Sequence, residues 1–188
     1  MRLIGCNGSP VRGVSRGVHD KSGFERFVRE STPGLWRQAW ALTGNPHDAA
    51  DLLQETYVKV GTAWRGVDAG GNPVGYARTT MTRLHINGWR SRSRRPESVV
   101  AQPPEPPARA GEQERIEDQD VIRRGLATLP PLQRAVVVLT YLEDRPDTEI
   151  AAILDCRPAT VRSHRSRALA ALRIAEAAGD PDPEVRTP

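Results

Sequence analysis

The stretch LPPLQRAVVVLTYLEDRPDTEIAAILDCRPATVRSHRSRALAAL, residues 129–172, decides the fold that this sequence predicts. Before the turn, apolar side chains recur at the three-to-four spacing of a helix with one buried face, at Ile150, Ala151, Ile153 and Leu154. Pro158 suits the first turn of a second helix, because a missing N–H is tolerated there. Between them Asp155 can adopt the left-handed conformation that a tight turn needs. The pattern therefore predicts a helix-turn-helix.

The rest of the chain also has helical spacing and no alternating strand pattern. A first helix is expected from about Lys21 to Gly44, bent or split at Pro33-Gly34, and a second from about Pro46 to just before Gly66. Further helices are expected at about residues 74–92, 112–127, 131–142, 147–154 and 158–177. The sequence predicts an all-α protein.

A proline-rich segment, PESVVAQPPEPPARAG at residues 96–111, divides these helices into two groups. Its prolines disfavour helix and sheet, so it is predicted to be an extended, semi-rigid linker. With 38% apolar and 5% aromatic residues, neither group can bury a large core, which favours two small helical domains. The expected divisions are a disordered tail at 1–19, a first domain at 20–95, a second at 112–177 and a tail at 178–188.

Composition points to a polyanionic partner and to an intracellular location. The formal net charge is +4, and only Lys21 and Lys59 among the 27 basic residues are lysines. Arginine suits bidentate contacts to phosphate and guanine, although genome base composition would explain the same bias. Cys6 and Cys156 lie too far apart in sequence to suggest a disulfide framework. No apolar run approaches the roughly 18 residues of a membrane span, and no signal peptide is evident, so a cytoplasmic protein is expected.

The sequence offers no catalytic or metal-binding constellation. Its four histidines lack metal-ligand spacing, and Gly70-Gly71 is not followed by the Lys-Ser/Thr of a phosphate loop. We therefore expect no enzyme activity, no metal and no cofactor.

The last helix carries the strongest candidate site. Residues one turn after its start share one exposed side and suit base contacts in a DNA major groove, namely Arg162, Ser163, His164 and Arg167. Arg157, Arg165 and Arg173 suit phosphates instead. A merely solvated arginine-rich helix is the alternative, and the preceding helix and turn argue against it.

Two further helices have distinct surfaces. The third interleaves aromatic and basic side chains that suit melted DNA, at Tyr76, Arg78, Arg83, His85, Trp89 and Arg90. Alternatively, Tyr76 and Trp89 complete a small core. The second helix presents an acidic stripe beside apolar residues, at Asp48, Asp51, Leu52, Gln54, Glu55 and Val58. Such a stripe suits a basic protein helix, and a plain solvated face is the alternative.

The order of DAADLLQETYVKV, a basic aromatic helix, a proline-rich linker and LPPLQRAVVVL…TVRSHRSRALAAL resembles extracytoplasmic-function sigma factors of bacterial RNA polymerase, in particular their SigE-like actinobacterial branch. The resemblance covers about residues 22–175. It implies a sigma region 2 bundle followed by a sigma region 4 helix-turn-helix.

The resemblance also implies partners. The acidic stripe would dock on the clamp helices of the polymerase β′ subunit, and the β flap is a further contact. Residues 72–95, including the six named on the third helix, would melt the minus-ten element and capture a flipped base. The last helix would read the minus-thirty-five element. An anti-sigma factor is a further partner that such proteins often have.

Three positions depart from the family pattern. Arg83 stands where many relatives have an asparagine that grips the flipped base. Pro146 replaces a Ser or Thr cap, so either Asp147 caps that helix or the helix begins raggedly. Arg165 replaces an apolar residue, which we expect to thin the contact of the last helix with the domain core unless its alkyl stem compensates.

Two other classes of protein remain open on the residues alone. A stand-alone helix-turn-helix regulator would use the same last helix but would not need the acidic stripe. A DNA-processing enzyme would need an upstream nucleophile and a metal or arginine cluster, which we do not find.

Overall fold

Helices account for every regular element in the computed structural model, which describes residues 16–94 and 122–179. The first group comprises α1 (Arg16–Thr43), α2 (Pro46–Thr62), α3 (Trp64–Ala69) and α4 (Pro73–Ser93). The second comprises α5 (122–128), α6 (Pro131–Val137), a π-helical turn (Val138–Leu142), α7 (Asp147–Leu154) and α8 (Pro158–Gly179). The all-α prediction is confirmed, and the whole predicted linker at 96–111 lies outside the described residues. The predicted tails were drawn too long, because residues 16–19 already belong to α1 and residues 178–179 still belong to α8.

Asparagine side chains define the starts of two helices. The Asn45 Oδ1 accepts a hydrogen bond from the Asp48 backbone N–H at 2.8 Å, and its Nδ2 donates to the Asp48 carboxylate at 2.8 Å. The Asn72 Oδ1 accepts from the Gly75 N–H at 2.9 Å. Each cap is followed by a proline in the first turn, so α2 and α4 begin where sequence signals predict.

Two helix boundaries differ from the sequence pattern. Helix α1 continues through Pro33, so of the two predicted alternatives, a bend or a split, the split does not occur; Arg29 and Pro33 are both exposed, and water can reach the carbonyl that loses its donor. The second predicted helix breaks at Ala63 and resumes as α3, which passes Gly66. Trp64 directs this break, since its side chain is buried against the aromatic rings of Phe24 and Phe27.

Apolar burial joins the two groups of helices, which we call the first module (α1–α4) and the second module (α5–α8). Fully buried side chains of the first include Leu35, Leu42, Met81 and Ile86, and those of the second include Leu139, Ile150 and Val161. One hydrophobic cluster contains members of both. Because neither module has enough apolar surface for a large core, the two complete one another.

Helices α1 and α4 form the first module's side of this contact. Helix α4 packs on α6 and α7, and α1 packs on α6 and the π-helical turn. At one end Arg134 is buried, and its guanidinium donates to the carbonyls of Leu42 at 3.2 Å, Ala127 at 2.7 Å and Leu129 at 3.1 Å. Gly44 permits this approach, because it has a φ of +84° and a Cβ there would lie 3.0 Å from the Arg134 Nη1. The two modules, which the sequence predicted as separate domains joined by a linker, therefore pack against each other.

None of the described helices is long and apolar enough to cross a membrane.

Candidate nucleic-acid and protein interfaces

Helices α7 and α8 form the predicted helix-turn-helix. Asp155 ends α7 in the left-handed conformation, with φ 53° and ψ 58°, and the Cys156 N–H bonds back to the Ala151 carbonyl at 3.0 Å. Cys156 is a free thiol, and burial raises its pKa. Val161 and Ala168 are buried, which turns the opposite side of α8 outward.

The outward side of α8 carries three exposed arginines, Arg157 just before the helix and Arg162 and Arg167 on it. Ser163, His164 and Arg165 are half-buried. Burial, and then the charge of Arg167, lower the pKa of His164, so its imidazole is neutral near pH 7 and can donate or accept one hydrogen bond. The exposed arginines are thus the best placed of the predicted residues to meet DNA.

Asp147 joins the two helices of this motif. Its carboxylate pairs with both terminal nitrogens of Arg165, one of them at 3.3 Å, and lies 3.8 Å from the Arg162 Nη1. Asp147 therefore does not cap α7, which begins after Pro146 with no side-chain cap. The contact that we expected Arg165 to thin is instead an ion pair, and Arg165 would have to leave Asp147 before it could bind a phosphate.

The predicted arginines of α4 face the second module. The Arg90 Nη2 donates to the Leu154 carbonyl at 2.9 Å, and the Arg83 Nη2 donates to the Ala152 carbonyl at 3.4 Å. The Arg78 Nη1 lies 2.9 Å from the Glu143 Oε1. The structure thus brings these three side chains, which we call the α4 arginine row, onto one surface.

The other three predicted residues of α4 have different surroundings. His85 lies among positive charges, and its pKa is lowered to about 4, first by burial and then by Arg134 and Arg92. Trp89 is half-buried, while Tyr76 is 44% exposed. Tyr76 therefore does not complete a core, contrary to the alternative that the sequence left open.

Tyr76 lines an open cleft of about 370 Å³ between α3 and α4. Its other walls are Ala63, Gly66, Val67, Gly70 and Asn72. Sequence reasoning included Asn72 in the melting segment but missed the cleft, although small residues at 63, 66 and 70 could have indicated space beside an aromatic ring.

Helix α2 presents the predicted acidic face. Asp48, Asp51, Gln54 and Glu55 are exposed around Val58, which is 64% exposed. Leu52 differs, because it is 7% exposed and belongs to the hydrophobic core. We therefore assign Leu52 a supporting position beneath this surface rather than on it.

Within the described ranges, no group of three His, Cys, Asp or Glu side chains could hold a metal ion.

Known proteins match this arrangement over most of the chain. Residues 27–95 match the family described as Sigma-70 region 2, and residues 119–172 match Sigma-70, region 4. The RNA polymerase sigma-E factor of Streptomyces coelicolor is 34% identical over 159 residues, 85% of this chain and 89% of that protein. The ECF RNA polymerase sigma factor SigE of Mycolicibacterium smegmatis is 33% identical over 151 residues, 77% of this chain and 58% of that protein.

A solved structure has a similar fold. The sigma factor RpoE from Bartonella quintana, crystallised in complex with the anti-sigma factor NepR, superposes with a TM-score of 0.63 at 23% identity. The match covers 84% of this chain and 99% of that one.

Proposed function

The chain belongs to the sigma-70 family of RNA polymerase sigma factors, in its extracytoplasmic-function group, and we propose that each of the surfaces described above serves one step of transcription initiation. The protein binds core RNA polymerase, recognises the minus-thirty-five and minus-ten promoter elements and promotes melting of the DNA. Sigma region 2 corresponds to the first module and sigma region 4 to the second.

The acidic face of α2 is the docking surface for polymerase in this proposal. Asp48, Asp51 and Glu55 surround the exposed Val58, so an apolar contact at the centre has a charged rim. A basic helix, such as a clamp helix of the β′ subunit, complements that charge pattern. This face is the observation that carries the proposal, because a regulator that acts alone on DNA has no use for it. The β flap is the expected partner of the second module.

Helix α8 reads the upstream element. Arg162 and Arg167 project from the side opposite buried Val161, and each can donate two hydrogen bonds to guanine O6 and N7. Arg157 holds a phosphate of the DNA backbone. Ser163 and His164 directly follow Arg162 on α8, so their half-buried side chains contribute polar contacts in the same groove. Arg165 supports the helix through Asp147 until DNA competes for it.

Helix α4 and the cleft beside it engage the melted downstream element. Flipping a base costs a few kcal/mol of unstacking, which stacking and charge contacts must offset. The exposed Tyr76 ring beside the cleft supplies a stacking surface, and the α4 arginine row supplies charges for the strand's phosphates. Trp89 and His85 lie on the same helix.

The same proposal covers chemistry, location and regulation. The protein is a non-enzymatic subunit that needs no cofactor, and it works in the cytoplasm, at the nucleoid when bound in holoenzyme. Since the Bartonella quintana neighbour was crystallised with an anti-sigma factor, we include such a factor among the partners of this chain.

Run-off transcription tests the assignment directly. The purified chain is mixed with core RNA polymerase and fragmented genomic DNA of its host, and the transcripts are sequenced, with core enzyme alone as the control. We expect discrete start sites preceded by one shared upstream element and one shared downstream element. Absence of specific transcripts, together with sequence-specific binding by the free chain, would instead establish a stand-alone regulator.

A further inference from the structure

The α4 arginine row is occupied by the second module in this structure. Arg78 pairs with Glu143, while Arg83 and Arg90 donate to the carbonyls of Ala152 and Leu154. These acceptors lie on two separate elements, the residue after the π-helical turn and the end of α7. All three arginines of the row therefore contact acceptor oxygens of the second module.

Glu143 is held in place for this contact. Its side chain is only 1% exposed, and the Arg145 Nε lies 3.5 Å from its second carboxylate oxygen. The backbone around it is tightly turned, since Asp144 has a φ of 50° and the Arg145 N–H bonds to the Leu139 carbonyl at 3.0 Å. A buried carboxylate is stabilised only when it is paired, so Arg78 contributes to a charge balance that opening the modules would disturb.

The end of α7 provides the remaining acceptors. Ala152 and Leu154 belong to its last turn, where carbonyls have no donor within the helix and carry the negative end of the helix dipole. Such carbonyls accept hydrogen bonds from an arginine as phosphate oxygens do, with the partial negative charge of a helix end in place of a full charge.

Burial by the second module is selective among the proposed interfaces. The acidic residues of α2 and the outward arginines of α8, Arg162 and Arg167, remain exposed in the docked arrangement. On the surface assigned to the melted strand, the second module partly buries Arg78 and Arg90 and contacts the exposed Arg83, while Tyr76 stays exposed beside its cleft.

We propose that the second module is an intramolecular competitor for the α4 arginine row, in which Glu143 and the α7 carbonyls stand in for the phosphates of single-stranded DNA. The free chain is closed to single strands, and separating the modules exposes the row. This inference rests on the proposed role of α4 in binding the melted strand.

Promoter geometry requires such a separation. Elements about 25 base pairs apart span roughly 85 Å of duplex at 3.4 Å per base pair. A compact chain of 188 residues has a radius of gyration of only about 16 Å. The docked form therefore cannot contact both elements at once, and the bound form must be the open one.

Binding of single-stranded DNA by the full chain tests the proposal. The probe is a fluorescein-labelled oligodeoxythymidylate, followed by fluorescence anisotropy, and small-angle X-ray scattering measures the radius of gyration. Glu143→Gln removes the charge that pairs with Arg78 and leaves the DNA-binding residues intact. We expect about tenfold tighter binding of the probe and a larger radius of gyration, because a larger fraction of the chain is open.

Glu149→Gln is the matched control. It makes the same change of net charge in the same module, and Glu149 pairs with Arg145 at 3.0 Å but is not among the acceptors of the α4 row. A non-specific gain from added positive charge would appear equally in both variants. We therefore expect Glu149→Gln to bind the probe like the unaltered chain and to keep its radius of gyration.

A second variant tests the contact without removing the charge. Glu143→Asp retracts the carboxylate by one methylene, and circular dichroism establishes that each variant is folded. Tighter probe binding by either folded variant, but not by Glu149→Gln, supports the proposal. Unchanged affinity and radius in the folded variants overturn it, while two-element promoters in the run-off experiment would leave the sigma-factor function standing. A larger radius of gyration without tighter binding of the probe also overturns the proposal, and that result contradicts the strand-binding role of α4 as well.

Discussion

Replacing the buried arginine between the modules tests how much this contact stabilises the docked arrangement. Arg134 donates hydrogen bonds to the carbonyls of Leu42, Ala127 and Leu129, and so joins the end of α1 to the start of the second module. Arg134→Met keeps a long unbranched side chain in the space but removes all of these donors. We expect the variant to be less stable.

The magnitude follows from opposing contributions. Each of the three carbonyls left buried without its donor costs about 1–3 kcal/mol, or about 3–9 kcal/mol in all. Against this, a guanidinium buried among carbonyls has a desolvation cost of several kcal/mol, which methionine avoids. Burial lowers the pKa of Arg134, in accord with that cost. The net loss in the free energy of unfolding is expected to be about 2–4 kcal/mol, the range typical of a broken buried network.

Urea unfolding followed by far-ultraviolet circular dichroism measures this loss. With a slope of about 2 kcal/mol per molar urea, in the middle of the usual range, the midpoint should fall by about 1–2 M. Arg173→Met is the control, because it makes the same substitution at an exposed position of α8 and should change the free energy of unfolding by less than about 0.5 kcal/mol.

An unchanged or higher midpoint for Arg134→Met would refute the reasoning. It would mean that the cost of burying the cation outweighs its bonds to carbonyls. The guanidinium would then serve the geometry of docking without stabilising it.

Four other outcomes are expected. Arg162→Ala should relax discrimination at one position of the upstream element by about 1–3 kcal/mol, so unchanged promoter preference in run-off transcription would contradict base reading by this residue. Asp51→Arg, at an exposed position of α2, should reduce co-purification with core polymerase; equal recovery would argue against the α2 docking face. Because the pKa of His85 is lowered from 6.5 to about 4, the unfolded chain binds the extra proton, so stability should be greatest above about pH 6.5 and fall towards pH 4. The free energy of unfolding should change by at most about 1.4 kcal/mol per pH unit in this range. Urea unfolding at several pH values measures this dependence, which His85→Gln should abolish. Asp155→Gly should raise the free energy of unfolding by about 0.5–1 kcal/mol, and with it the midpoint of thermal unfolding, because it relieves a left-handed residue with φ 53°; a lower midpoint would mean that the Asp side chain contributes more than the strain costs.

Local signals explain what could be predicted of the fold. The bounds of α7 were expected at residues 147–154 and are Asp147–Leu154, because a turn residue and a proline mark the end of one helix and the start of the next. Helices α2 and α4 begin at prolines that follow asparagine caps. Each of these features depends on residues within one or two turns, and a sequence displays them directly.

Errors arose where a distant contact overrides a local pattern. The break at Ala63 follows from the packing of Trp64 against α1, which no local window contains. Leu52 was included in the docking surface because this helix resembles the family's acidic helix, yet its side chain is 7% exposed and belongs to the core. Helical spacing indicates which residues share a face, and the neighbouring helices determine which faces are covered.

For the candidate site, too, some features could be predicted from the sequence and others could not. The residue types that suit DNA and protein partners could be read from α2, α4 and α8, and their assignments to polymerase and promoter remain predictions. The partners of the α4 arginines could not be read, because an arginine's long side chain reaches carbonyls, carboxylates or phosphates equally well. The Asp147 and Arg165 ion pair was likewise invisible, since its members are 18 positions apart.

By itself the sequence determined the helices, the helix-turn-helix and the family, because these depend on periodicity, caps and motif order along the chain. Only the tertiary structure decided that the two modules share a core, that Arg134 and Glu143 join them, and that the α4 arginine row contacts the second module. The physical reason is that docking is decided by complementarity between surfaces that are far apart in sequence. Such complementarity depends on the distances and burial of particular atoms, which a one-dimensional pattern does not contain.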